Sequence, residues 1–495
     1  MASSTPRSEP LASTLVARFL RANNYTETLD AFIHEAGLPV DAGQAGRHEW
    51  TIEQLLEEKQ AYDQSLKFER HGDGHEEKDI WTVPAPAQPS IVETRSNLLA
   101  SSVDSWQGPM TEQDSSQTRP SYIVATGADR QVHLVRTRPE HDIATSLAGL
   151  SDSPILSYVS TQDGAYMFMT SMSGHLLLLH GSEVVDRRKE HTKYAVQVVA
   201  YEDHSTGKLW VATAGWDMKI FVYSITLAPG GCPLTTIGEP VGRIDLLSNP
   251  ESMLFLRHPD TGDLVLLASR RDSTYLFYYQ VGQAPVPSPE RASEDDGTVG
   301  SAPYECRLLG KQNLAPHSTA WVAFSPACLA VSPHDPSLLA VATSTLPHMK
   351  LIIVRLLFPP IKRLDDGSVE SFAERERSMA APETQAAQAL AALSLQNRED
   401  AAIVIQTNTF APQTAYSTPQ VVWRPDGSGI WVNGDDGVVR GIEAKTGKVV
   451  AILKEGHEPG SKVRTIWAGW VKDEKEQRQE WLISGGFDKR LVIWK

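Results

Sequence analysis

The sequence predicts a mainly β chain built from repeated units, preceded by a small α-helical module. Three observations carry this prediction. Apolar residues recur at helical spacing between residues 11 and 38. From Trp81 onward the texture changes to short apolar runs punctuated by turn residues. Within that second texture one strand–turn–strand pattern, its turn ending in Asp, returns several times.

The helical module comes first. Leu15, Val16, Phe19 and Leu20 fall at i, i+1, i+4 and i+5, which gathers them on one stripe of an α-helix. Ser13 and Thr14 are candidate N-caps. Asn23 and Asn24 end this helix, because Asn tolerates the left-handed backbone of a C-cap. Thr26 is the candidate cap of a second helix with Glu27 in its first turn. That helix turns Leu29, Phe32 and Ile33 inward, and Gly37 before Pro39 stops it. A third helical stripe, Ile52, Leu55, Leu56, Tyr62 and Leu66, runs through residues 48–69. It fits either a short coiled coil or a solvated helix. Residues 71–78 are charged and Gly-containing and read as linker.

The run from Leu15 to Leu20, then Asn24 and Tyr25, then Thr28, Leu29 and Phe32, then Glu35, resembles the LisH motif. Two positions depart from it: Asn24 stands where Gly is usual and Leu29 where Ala is usual. Two helices this short cannot bury their apolar stripe alone. The resemblance implies dimerisation, with four helices sharing one core through Leu15, Phe19, Leu20, Tyr25, Leu29 and Phe32. Packing of the helices onto the rest of the chain is the alternative.

The repeated part is clearest at residues 208–223 and 480–494, with a third copy at 121–135. Each reads as an apolar strand, a turn of small residues ending in Asp129, Asp217 or Asp488, then a second apolar strand. In the first two an aromatic, Tyr223 or Trp494, follows six residues past the Asp. These residues resemble the WD-repeat family, whose period of about 40 to 45 residues corresponds to four strands per blade. Asp129 and Asp217 lie about two such periods apart, and residues 166–179, with Ser173 and Gly174 at the turn, supply the copy between them. Weaker copies fall at 263–279 around Asp272, at 338–357, and at 429–442 around Asp436. The expectation is a mainly β, seven-bladed WD-repeat β-propeller with a small N-terminal LisH dimerisation module. Its boundaries are 8–40 for the LisH motif, 41–78 for a helical extension and linker, and 79–495 for the propeller. Loops 101–119, 282–303 and 359–400 interrupt the blades, the last with a helical stretch at 380–395. The chain ends one residue past Trp494, so the last blade lacks an outer strand, and residues 79–83 are expected to supply it.

The family pattern links each turn Asp to a His, a Ser or Thr and a Trp. By that pattern His457, Ser484, Asp488 and Trp494 form one network, and His191, Thr213 and Asp217 another with Tyr223 replacing Trp. These residues, with Asp129, Asp272 and Asp436, are expected to be structural despite their Ser/His/Asp content. No phosphate-cradling loop, HExxH or GxSxG occurs. The expectation is therefore a non-enzyme without cofactor or metal. Three isolated cysteines, Cys232, Cys306 and Cys328, offer neither a disulfide framework nor a zinc pair and fit an intracellular setting, nuclear or cytoplasmic. No basic-then-apolar leader and no apolar run of membrane length occurs. The net charge of −15 disfavours direct nucleic-acid binding.

In a WD propeller the residues around each turn Asp line one rim, the top face. Here they include Arg130, Trp216, Lys219, Arg270, Arg271, Phe487, Lys489 and Arg490. Cations beside aromatics on an acidic chain point to a partner segment that is acidic or phosphorylated. The plainer reading is that the charges solubilise turns and the rings pack locally. The functional expectation is a dimeric scaffold in a multiprotein complex. LisH joined to a WD propeller resembles corepressor subunits, slightly favoured here, as well as motor or trafficking regulators and ubiquitin-ligase adaptors.

Overall fold

The computed structural model describes residues 11–44, 51–52, 80–106, 120–227, 234–282, 304–318, 324–362, 369–379, 385–472 and 477–495. The chain divides into two compact units, residues 1–76 and 77–495. The helix expected over 48–69 falls almost entirely outside the described residues, as does the linker 71–78.

In the first unit, α1 (Leu11–Ala22) and α2 (Thr26–Ala36) form an antiparallel-type hairpin through a tight turn. Asn24 takes the left-handed conformation there, with φ 59°, and Tyr25 N–H bonds back to the Leu20 carbonyl at 2.9 Å. The caps differ from expectation. α1 begins at Leu11, two residues before Ser13. Tyr25, not Thr26, holds the cap position of α2. Gly37 ends α2 in the left-handed region, its N–H on the Ile33 carbonyl. Ala17, Leu29 and Ile33 form the core, with Leu20, Phe32, Leu38 and Ala42 packed against it. The segment after α2 returns across α1, where Arg21 donates to the Val40 and Ala42 carbonyls at 3.0 and 3.1 Å. Gly43 sits so close to α1 that a Cβ there would lie 2.6 Å from the Ala17 carbonyl carbon.

The second unit is a seven-bladed β-propeller of seven antiparallel sheets. The innermost strands are Leu98–Ser105, Ile155–Thr161, Ala195–Asp203, Pro250–Arg257, Pro326–Val331, Val421–Trp423 and Val463–Lys472, for blades 1 to 7 in order. Each touches the next, and blade 7 meets blade 1, so they ring a common axis. The middle strands are apolar on both faces, as in Tyr166–Ser171, which is buried at every position. Blade 3 gains a fifth short strand, Tyr304–Glu305, parallel to Gly242–Asp245.

The outer strand of blade 7 is Pro89–Glu93, paired antiparallel with Arg490–Trp494 from Pro89↔Trp494 to Glu93↔Arg490. Closure thus comes from the N-terminal side of the propeller, but not from residues 79–83. Pro84 and Pro86 lack the N–H groups a ladder needs. Trp81 instead wedges into blade 6, edge-on to Trp431 at 5.1 Å. Gly429 and Gly441 leave the slot, since a Cβ on either would strike the Trp81 ring. Beneath that ring, 4.4 Å away, lies the buried Arg424 guanidinium. It donates to Glu480 at 3.0 and 2.6 Å, to the Thr82 carbonyl at 2.8 Å and to Ser428 at 2.9 Å. One buried ion pair therefore fastens blades 6 and 7 to the incoming chain.

Two of the expected insertions are redrawn. Ser101 to Ser105 belong to the inner strand of blade 1, and only residues 107–119 remain outside the described part. The helical stretch expected at 380–395 is the later α4 (Gln385–Ala402), preceded by α3 (Phe372–Met379), and it runs directly into the outer strand Ile403–Pro412. Residues 283–303 lie outside the described part.

Removing one partner of a buried pair leaves the other charge uncompensated, at about 3–5 kcal/mol. Arg424→Ala is expected to lower unfolding stability by about that amount. Arg424→Met combined with Glu480→Leu is expected to recover most of it. Denaturant unfolding followed by tryptophan fluorescence checks both.

Candidate partner-binding face

Every blade places its second-to-third-strand turn on the same side as the connection entering that blade. A recurring backbone bond fixes this: Trp216 N–H to Tyr194 O, Arg271 to Asn249, Ser344 to Ser325, and Phe487 to Lys462, at 2.8–3.0 Å. This common side is the top face, and the predicted site residues gather there.

Two His–Asp networks lie just beneath it. In blade 7, Asp488 can only accept, so His457 Nδ1–H donates to it at 3.0 Å. Trp494 Nε1–H donates to Ser484 Oγ at 2.9 Å, and the Ser484 hydroxyl donates to His457 Nε2 at 2.8 Å. The Glu458 amide adds a bond to Asp488 at 2.9 Å. In blade 3, His191 bridges Asp217 at 2.9 Å and Thr213 at 3.0 Å, and the Thr192 amide bonds Asp217 at 3.0 Å. Tyr223 stands in the Trp position, and burial pushes its hydroxyl's pKa up. Burial pushes both aspartates up. The His bond, the ionic attraction and the turn amides outweigh it, so both carboxyls titrate below the ordinary range.

These Ser/His/Asp sets are not arranged for nucleophilic attack. Ser484 is fully buried, and its oxygen is committed to Trp494 and His457. Among the described residues no group of three His, Cys, Asp or Glu is placed to hold a metal ion, and no helix is long and apolar enough to cross a membrane.

The remaining turn aspartates do not build the same network. Asp129 lies 3.4 Å from His133, four residues on in its own hairpin, and accepts the Gln131 amide at 3.2 Å. Asp436 holds Arg440 at 2.6 Å. Asp272 occupies the left-handed region and gives its N–H to Ser325 at 2.9 Å. In blade 2, Ser173 takes the turn position and bonds Asp152 at 2.7 Å.

The four rim arginines have local partners. Arg271 pairs with Glu251 at 2.6 Å and Arg490 with Glu458 at 3.3 Å. Arg270 donates to Ser248 at 3.0 Å and lies over the Phe277 ring. Arg130 reaches the Asp152 carbonyl at 3.5 Å. Lys219 opens the third strand of blade 3, and the Lys489 carbonyl accepts the Thr94 amide at 2.8 Å.

Apolar side chains are exposed on this face beside charged ones such as Arg130, Arg271 and Lys489. Trp216, tilted against Tyr194 at 5.1 Å, is 39% exposed, and Phe487 is 41% exposed. Sequence reasoning found these two rings and missed their neighbours Met218, Leu247, Leu346, Phe410 and Tyr416. Leu247 and Tyr416, at 85% and 89%, are among the most exposed apolar side chains of the propeller. They lie on connections between blades, where no periodic signal marks them.

A protein-family profile described as the UCP007778 beta-propeller domain matches residues 115–495, and one described as the UCP007778 LisH domain matches residues 12–44. No curated protein matches the chain.

The networks generate two predictions. Ser484→Ala orphans the Trp494 and His457 ring nitrogens and is expected to destabilise the fold by about 1–3 kcal/mol. For Asp217 and Asp488, a folded pKa below the unfolded one means stability that is complete above the ordinary carboxylate value. It is lost as pH falls through the folded value, below about pH 4. Thermal melts between pH 6 and 2 are expected to fall more gently for Asp217→Asn/Asp488→Asn than for the natural chain.

Proposed function

Because the chain belongs to the UCP007778 family, with its LisH and β-propeller domains, we propose that it is a non-enzymatic scaffold, dimeric through residues 8–40, whose propeller binds protein partners on its top face. The observation that carries this reading is the set of exposed apolar side chains on one side of the ring, Trp216, Met218, Leu247, Leu346, Phe410, Tyr416 and Phe487. Exposed apolar patches of that kind mark interaction surfaces. The His457–Asp488 and His191–Asp217 networks support assigning the blades to the WD-repeat type.

In the helical unit, Leu29 is buried in the hairpin's own core and Leu20 and Phe32 pack against it. The dimer face we propose is therefore Leu15, Phe19 and Tyr25. Tyr25 is half exposed and lies 6.4 Å from Phe19, ring to ring. Two linked propellers then bind with avidity that neither has alone. Among assemblies of similar composition the corepressor-like one fits best. Ligase subunits carry a longer helical segment after LisH, whereas here the helix-compatible stretch after it is short.

Sedimentation of the full chain against Phe19→Asp tests the dimer: a dimer for the first and a monomer for the second are expected, and equal masses would refute it. Affinity purification from cells tests the face. Trp216→Ser with Phe487→Ser is expected to lose partners recovered by the natural chain, at an unchanged melting temperature. Full retention of the same partners would count against the top face.

A further inference from the structure

The outer strand of each blade is a sheet edge, and several of these edges are covered by the chain itself. In blade 2 the outer strand Glu183–Arg188 is crossed by a later segment: Ile237 N–H donates to Asp186 at 2.7 Å, and Arg188 donates to Glu239 at 2.9 Å. In blade 3, Tyr304–Glu305 adds itself to Gly242–Asp245 as a fifth strand. In blade 4, α3 lies on the outer strand Leu308–Asn313, with Arg375 on the Leu309 carbonyl at 3.3 Å and Lys311 over the Phe372 ring. Blade 6 has no such cover among the described residues. Its outer strand, Val449–Leu453, makes only the ladder bonds to Val439–Glu443.

Composition sets this edge apart as well. Val449, Val450, Ala451, Ile452 and Leu453 are all apolar, and no other outer strand of the propeller is. Exposure alternates along it. Val450 and Ile452 are 46% and 53% exposed, whereas Leu453 is buried in the core between blades 6 and 7. Lys448 and Lys454, exposed in the same alternation, bracket the two, and neither has an ion pair among the described residues. An apolar edge with unpaired N–H and C=O groups is a template for another strand.

The lysines select the occupant. Against the same strand of a second copy, lysine would face lysine at both ends whichever way the strands run, and like charges directly opposite are unfavourable. A strand of another protein with a carboxylate at each end meets both lysines and lays its own apolar residues beside Val450 and Ile452. Main-chain bonds along the edge then give affinity, and the alternate side chains give specificity.

We propose that the outer strand of blade 6 receives an extended segment of a partner protein as a fifth strand, acidic at both ends and apolar at alternate positions between them. This surface lies on the outer wall of the ring and is separate from the top face. The test is selection of a random nonapeptide library on the full chain, with edge binders recognised by loss of binding to Ile452→Asp at an unchanged melting temperature. Edge binders are expected to carry Asp or Glu at the spacing of Lys448 and Lys454. Lys448→Glu with Lys454→Glu is expected to weaken them about tenfold. Lysine in place of the two acidic peptide residues is expected to restore binding to that variant. Methylating the peptide amides of one edge is expected to abolish binding, and methylating those of the other edge to leave it unchanged, as for a strand paired along one side. Trp216→Ser with Phe487→Ser is expected to change nothing here; loss of binding would place the peptides on the top face and overturn the proposal. An absence of edge binders, indifference to the charge reversal, or binding that survives methylation of either edge would also overturn it, and the lysines would then only guard the edge against aggregation.

Discussion

A four-stranded sheet that is apolar on both faces has no stable existence in water by itself. Everything in the propeller follows from the need to cover each face with a neighbour, and a ring is the arrangement that leaves no face over. The junctions show how the ring is held. At four of them the residue after the inner-strand bulge accepts the backbone N–H that the bulge frees in the following blade. Ser157 serves Val198, Gln197 serves Met253, Ser252 serves Leu329 and Thr465 serves Ser101, at 2.9–3.2 Å. Where that position holds Ala100, Tyr158 OH reaches the Val124 carbonyl at 2.7 Å instead. Trp423 to Ala330 and Asn433 to Val463 bridge the other two junctions, at 2.9 and 2.7 Å. Each bond nets about 1 kcal/mol, but each also spares a buried backbone group from going unpaired.

The same constraint separates stabilising polar groups from those available for work. Inside the wall, His457, Ser484, Asp488 and Trp494 bond to one another and hold a turn. On the rim, Arg271 is engaged by Glu251 at the start of its own blade's inner strand, and Arg490 by Glu458.

The sequence carried the blade count and the two complete networks, because both live in local spacing: the turn, the Asp, and the aromatic six residues on. The helical hairpin was readable for the same reason. Other features depend on chain segments far apart in sequence. The outer strand of blade 7 was expected at 79–83 and lies at Pro89–Glu93, since only the fold shows that Trp81 has a slot prepared by Gly429 and Gly441. Arg424, Glu480 and Thr82 meet across more than 300 positions. Asp436 was read as a network member by analogy. It lies in the predicted turn, but Arg440, on the following strand, takes the carboxylate.

If the ring is one closed unit, its inner strands must open together. Native-state hydrogen exchange resolved to single amides tests this directly. The amides of Ser101, Val198, Met253 and Leu329, on blades 1, 3, 4 and 5, are expected to exchange with one shared opening free energy, equal to that of global unfolding. Ser101, at the seam where blade 7 meets blade 1, is the decisive one. Early exchange at Ser101 with the others still protected would mean that the seam opens alone, and the claim that closure makes the fold would be contradicted.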